Sequence, residues 1–488
     1  MEDLSPAWLD ETVPFPADLG LIDDPNRDAG GDLWNTIHTG QGLFDLLRST
    51  SSDIADGTIV PADNVAGRSE AASDFLIQLY YQNFHLAHPV VLPQKALHHV
   101  PSYLLAVMQY IGAHYHYDPF VRDALKDAAY AALSDQTPRD GFKVQSMLLL
   151  AIATHAHGHE DEANQILRAA VDLALELGMD GASYARENSM GSSLVEESWR
   201  RTYWELYVVD GLFAGLRQQS TFPLYSRQSD LSLPCEEAEY HAGNVHPQPT
   251  LEDLRQNWST QNGKQFSSFA YRIEAVRILG MVLALGQSSE LDSELQAETV
   301  DACLAGWFLH LPASRREPLL SNGRVDEMLF QAQMIIYIGM IYLHRTRSIM
   351  RFACFHARTS CTRYRASRPP TLSFDALDMR SKKLIRAADQ LSNLVALPTE
   401  IKRHSLFLIC ALAMAVIVHT AACFMAAGTE HAESFRIRVQ LSVGAFNRLA
   451  ESWPLARTVR QQVLSMYQEV VSGSRTKGTC SAVDFTMP

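Results

Sequence analysis

This chain of 488 residues has no C-x-x-C pair anywhere. Its seven cysteines (235, 303, 354, 361, 410, 423 and 480) are scattered and odd in number, a pattern that fits reduced intracellular thiols better than a disulfide framework. Cysteine-rich zinc sites need thiolates closely spaced on short loops. Cys354 and Cys361 reproduce one C-x6-C gap, but a C-x2-C-x6-C cluster would need a cysteine at position 351, which is Arg351, and the next cysteine after Cys361 is Cys410. No Cys2His2 finger spacing is present either. Lysine does not occur before Lys95. The opening Met1-Glu2-Asp3 lacks the basic-then-apolar layout of a secretory signal, so an intracellular protein is expected. There is no G-x-x-x-x-G-K-[ST] loop, no G-x-S-x-G elbow and no dinucleotide fingerprint. No catalytic, cofactor-binding or metal-ligating residue is expected, and no cofactor.

Apolar residues make up 47% and charged residues 20%, ordinary for a globular protein. The net charge of −14 argues against unassisted nucleic-acid binding, which needs a concentrated positive surface. The acidity is uneven. Residues 1–64 hold thirteen acids against Arg27 and Arg48, a balance of −11, so only −3 falls on everything after them.

Residues 1–70 mix Pro, Gly, Ser and Asp without a sustained period, which predicts a largely disordered leader. Its acids interleave with Trp8-Leu9, Phe15, Leu19, Leu21-Ile22, Leu33-Trp34 and Leu43-Phe44, a pattern that suits an activation segment. From about Ser73 the pattern turns helical. Residues 75–84 lead into His88-Pro89, and 103–115 follow. Residues 143–180 predict a helical hairpin with a polar turn at His157-Gly158-His159 and a glycine stop at Gly178. Helices are expected at about 265–286, 291–309, 325–352, 375–396, 404–427 and 434–471, with breaks at 234–262 and 357–374. The expectation is one large all-α domain over 71–471, after the leader at 1–70 and before a flexible tail at 472–488.

The most informative stretch is 196–224. Trp199, Tyr203, Leu206, Asp210 and Phe213 recur at three- and four-residue steps, predicting one amphipathic helix. Glu197 lies where it can meet Arg200 and Arg201 across a turn, and Asp210 on an apolar face needs a partner if buried. With Glu197, Arg200, Arg201, Trp204 and Asp210, the stretch resembles the signature helix of the fungal-specific transcription factor domain, the regulatory middle region of zinc-cluster regulators. This chain departs from that pattern at Gly211, where a basic residue is usual, and at Gly215-Leu216-Arg217-Gln218, where a Gly-Arg-Pro-like turn is usual. The resemblance follows in order through 75–97, the hairpin ending Ala174-Leu175-Glu176-Leu177-Gly178, Leu233-Pro234, Ala305-Gly306-Trp307, Leu311-Pro312 and the helix ending His344-Arg345. It covers about 75–350 and fades towards 470. It implies an all-α regulatory domain in a nuclear protein, with the cytoplasm as the alternative.

Other constellations have simpler readings. His155, His157, His159 and Asp161 approach a metal-hydrolase motif, but the run falls at a helix-to-helix turn, where solvated histidines are expected. Asp23-Asp24-Pro25-Asn26-Arg27-Asp28 invites comparison with the magnesium-diphosphate motif of terpene synthases, yet Pro25 breaks the helix that motif needs. Residues 405–429 are uncharged and strongly apolar, with His419 their one ionisable group. Length and hydropathy suit a membrane span, while a central helix of a large core reads the same way and is the expectation. Seven arginines and no acid between 345 and 368 suggest a solvated loop or an import patch, and Arg380-Ser381-Lys382-Lys383 is a second import candidate.

Together these readings point to a transcriptional regulator without its own zinc cluster in this sequence. It would act through a DNA-binding partner, a coactivator or a second copy, and would touch DNA only indirectly or through a cluster encoded upstream. The family's frequent control of metabolic or secondary-metabolite gene sets is part of what the resemblance implies. An all-α biosynthetic enzyme and a helical-repeat scaffold are the alternatives. The hairpin at 143–180 looks like a tetratricopeptide unit, but no period near 34 residues recurs.

Overall fold

The computed structural model describes residues 62–473, apart from 247, 261–264, 286–289, 351–358, 362–373 and 427–430. The aromatic-acidic leader up to residue 61, the 23–28 run, Cys354 and most of the cationic stretch at 345–368 lie outside the described residues. The chain separates after Glu70 into two units. Of the first, residues 62–70 are described, and they open helix α1 (Ala62–Asn83).

The second unit is helical, with no strand among the described residues. It continues with α2 (Ser102–Gly112), α3 (Pro119–Tyr130), α4 (Gly141–Ala156), α5 (Glu160–Glu176), α6 (Ala182–Glu187), α7 (Ser193–Leu216), α8 (Glu237–Ala242) and α9 (Leu251–Thr260). Then come α10 (Ser268–Ala284), α11 (Glu290–His310), α12 (Glu327–Arg345), α13 (Phe374–Leu394), α14 (Leu408–Met425), α15 (His431–Leu449) and α16 (Pro454–Gly473).

Local chemistry sets the helix ends. Asp118 accepts from the Phe120 N–H at 3.0 Å, ahead of Pro119 in the first turn of α3, and a proline there costs no hydrogen bond. Asp140, Ser267 and Asp326 cap α4, α10 and α12 in the same way, each satisfying a donor that the helix itself leaves free. At the end of α5, Gly178 takes φ +75°. The Met179 N–H then bonds the Ala174 carbonyl at 2.9 Å and the Gly178 N–H bonds that of Leu175 at 3.1 Å, the double closure that a left-handed residue permits.

The single helix expected over 434–471 is two, α15 and α16. Pro454 has no N–H to continue the first, and Trp453 beside it is fully buried. Proline starts a helix far more readily than it crosses one. The expected helix at 103–115 ends its α-helical part at Gly112, and its last residues tighten into a 3-10 turn at Ala113–Tyr115.

One hydrophobic core runs without a break from Ile77 to Met466. Helix α7 packs on α4, α5 and α10, α12 packs on α10 and α13, and α14 lies among α12, α13, α15 and α16. Helix α14 is long and apolar enough to cross a membrane, with a mean hydropathy of 2.3, yet 89% of it is buried inside the fold. That is the central-core reading of the 405–429 stretch, since a helix covered on all sides is apolar all round.

Candidate functional site

The two-faced pattern expected of the 196–224 helix is not how α7 sits. Nearly every residue from Val195 to Gly215 is buried, because α4, α5 and α10 cover separate sides of it. The helix therefore carries its charges into the core, where each must find a partner.

Glu197 anchors the N-terminal half. It accepts from Nε of Arg200 and Nε of Arg201, both at 2.9 Å, and from the Cys235 backbone N–H at 2.8 Å. Arg201 is completely buried. It also donates to Glu237 at 2.6 Å and to the Cys235 carbonyl at 2.8 Å, and it lies 4.1 Å from the Tyr240 ring centre. The Trp204 indole donates to the Ser232 carbonyl at 2.9 Å. Glu197, Arg201 and Trp204 thus clamp the 232–237 strip against α7.

One turn on lies a group that sequence reasoning missed. Glu205 takes a two-pronged contact from Arg272 of α10, at 2.6 and 2.7 Å, and a third from Nδ1 of His88 at 2.8 Å. All three side chains are at most 1% exposed. Burial alone would raise the Glu205 carboxyl, but Arg272 and His88 outweigh it and hold it at about 2. The signal in the sequence was a charge between apolar neighbours in each case, Glu205 between Trp204 and Leu206 and Arg272 between Tyr271 and Ile273. Nε2 of Gln145 lies 3.0 Å from the Val90 carbonyl, 2.9 Å from the Ser198 hydroxyl and 2.8 Å from the Thr202 hydroxyl. Glu327 binds His404 and the Ser405 N–H, and Ser405 lies 3.4 Å from Nε2 of His88. Polar contacts therefore link α7, α10, α12 and the approach to α14 through His88, and the Gln145 group ties α4 to α7.

Asp210 is the weakly satisfied member. Arg168 of α5 stands 3.1 Å from Oδ1, where Oδ1 makes no aligned hydrogen bond, and the Leu224 N–H reaches Oδ2 at 3.3 Å. Burial raises its carboxyl to about 6, Arg168 offsetting only part of the effect. A carboxyl raised in the folded state from 3.8 contributes most stability below that value. The contribution is lost as pH climbs from 3.8 to 6 and is flat above. We therefore expect Asp210→Asn to gain relative to the parent chain by up to about 3 kcal/mol between pH 4 and pH 7, read from urea midpoints at both pH values. An unchanged difference would mean that the aspartate is ordinary. The departure at Gly211 has a packing reason. A Cβ there would stand 2.5 Å from Val276 Cγ1 of α10, leaving no room for a basic side chain.

Beyond α7 the chain turns at Gln218, with φ +56°. Arg217 pairs with Glu160 and Asp161, and Arg345 of α12 donates to Gln218. Under this turn lies a cavity lined mainly by apolar side chains, among them Leu212, Ile338, Tyr342, Phe407, Cys410 and Met414. It offers about 10 Å³ to the centre of a water-sized molecule. That is room for one water and far below the several hundred Å³ of a drug-sized ligand site.

The histidines of the 155–161 run are not the solvated turn expected. His155 is buried between Phe407 and Phe213, and His157 bonds His114 across 2.7 Å. His159 faces outward beside Glu162. They diverge, and no group of three metal-ligating side chains occurs among the described residues. The arrangement holds no base poised on a nucleophile at an open pocket. Its chemistry is that of a scaffold with a charged interior.

Comparison with known proteins fits that character. Residues 77–307 match the model of the fungal specific transcription factor domain. The chain is 32% identical over 423 residues to the C6 finger domain transcription factor iacK of Pestalotiopsis fici. The match covers 85% of this chain and 62% of the relative, so the chain spans less than two thirds of that protein's length. The family model and the relative are both described as transcription factors. No solved structure matches the chain.

Proposed function

We propose a nuclear transcriptional regulator whose helical domain works through protein partners, a reading supported by the match of residues 77–307 to the fungal specific transcription factor domain. The observation that carries the finer reading is the missing C-x2-C-x6-C cluster in these 488 residues, beside a net charge of −14 that disfavours free DNA contact. DNA is then reached through a DNA-binding partner or second copy docked on the helical domain, or through a cluster in a segment outside this sequence. The acidic-aromatic leader is the proposed activation segment, its charge keeping the aromatics in water until a coactivator groove accepts them. A compact metabolic or secondary-metabolite gene set is the proposed target.

Transcript profiling after deletion of the gene in its host tests this. The expected result is coordinated loss or gain of a small gene set, which also names the targets. Steady transcripts across the genome would overturn the regulator reading. A gel shift of promoter DNA by the purified chain at physiological salt would overturn the indirect route alone.

A further inference from the structure

Two cysteines on different segments meet in the core. Cys361, in the short described stretch Thr359 to Cys361, and Cys410, on α14, have their sulfurs 2.7 Å apart. Both are free thiols, buried to 2% and 1% exposure. The separation is shorter than the packing distance of unbonded heavy atoms, and a disulfide at about 2.05 Å needs a further approach of about 0.7 Å. The stretch carrying Cys361 is held in place from the other side. The Ser360 N–H donates to Oε1 of Gln462 on α16 at 2.8 Å, and Nε2 of Gln462 donates back to the Ser360 hydroxyl at 2.9 Å. Cys410 also forms part of the wall of the water-sized cavity under the α7 turn, and Nε2 of His155 lies 3.6 Å from its sulfur.

We propose that Cys361 and Cys410 are a modification site, a dithiol that hydrogen peroxide converts to a reversible disulfide locking the 359–361 stretch to α14. Cys410 lines the one-water cavity and Cys361 does not, so the Cys410 sulfur is the one that a small oxidant entering there meets first. The Cys410 sulfur attacks one peroxide oxygen as the O–O bond breaks, and the departing hydroxide takes the thiol proton and leaves as water. Cys361 then attacks the Cys410 sulfur, the S–O bond breaks, and the leaving hydroxide takes the Cys361 proton as a second water. One peroxide is reduced, two thiols are oxidised, and one disulfide and two waters result. Burial holds the Cys410 thiol well above the ordinary range, which makes the reaction slow. The site therefore responds to sustained oxidant and not to a brief pulse. Intracellular disulfides of this kind are transient and sensing, not structural. The chemistry stands independently of the function proposed above.

The test uses the purified full chain, treated with hydrogen peroxide, unfolded, alkylated and digested without reductant. The expected result is a peptide pair linked through Cys361 and Cys410, with severalfold loss of alkylation at both and recovery after dithiothreitol. In Cys361→Ser the linked pair disappears, and Cys410 is trapped as its sulfenic acid by dimedone. Should that variant fail to fold, the map of the parent chain decides alone. Full alkylation of both thiols after oxidation, linkage of Cys410 to another cysteine, or oxygen gained only at Met414 would each overturn the proposal.

Discussion

Replacing Glu205 with glutamine is expected to lower stability by about 3–5 kcal/mol, the usual cost of stranding a buried charge. Arg272 is the reason. It is fully buried, and both of its terminal nitrogens are spent on Glu205. Its Nε has no partner of its own, so nothing nearby takes over the charge. The neutral amide keeps the shape and loses the counter-ion. Two controls separate charge from packing. Removing both partners together, Glu205→Leu with Arg272→Met, should recover most of the loss, since a well-packed apolar pair often matches a buried ion pair. The pH profile should flatten as well. The Glu205 carboxyl sits at about 2 in the fold against an ordinary 4.5. It therefore contributes stability that is fully present above 4.5 and lost as pH falls towards 2, about 3 kcal/mol in all. Urea titrations at pH 7 and pH 3 measure both effects. A glutamine variant within about 1 kcal/mol of the parent chain would show that the triad is not the anchor.

Glu197→Ala should cost a similar amount, about 3–5 kcal/mol, with a different local signature. Its carboxylate receives three donors at once, two guanidinium groups and the Cys235 N–H. Removal leaves Arg201, which no solvent reaches, with Glu237 as its remaining carboxylate. The clamp on the 232–237 strip fails first, so limited trypsin digestion should open the chain at Arg227, whose side chain is half exposed. Glu196→Ala supplies the contrast. Glu196 also binds Arg200, but it is 32% exposed, and pairs of that kind are worth about 0–1 kcal/mol. Equal losses for the two alanine variants would refute the clamp.

These two residues also mark how far the sequence could be read. The pairing of Glu197 with Arg200 and Arg201 was legible because helical spacing alone brings positions three and four apart together. The glycine stop at Gly178 was legible because a left-handed helix end is settled within one turn. Glu205 was not, because its partners lie 67 and 117 positions away, and no local rule connects them. The 155–161 histidines failed for the same reason. Their spacing is local, but burial against Phe407 and Trp453 is set by helices that enter late in the chain.

The sequence by itself determined the helical class, most helix positions, the acidic bias of the first 64 residues and the likeness to a regulatory domain. Each of these rests on composition or on a period shorter than one helix. Tertiary structure alone decided that α7 is covered on every side, that Asp210 meets Arg168, and that Gly211 must stay small against Val276. It also brought Cys361 and Cys410 together across a separation of 49 residues. The physical reason is that burial and pairing of charges depend on which helices stack. Stacking is a property of the whole core, and no window of the chain contains it.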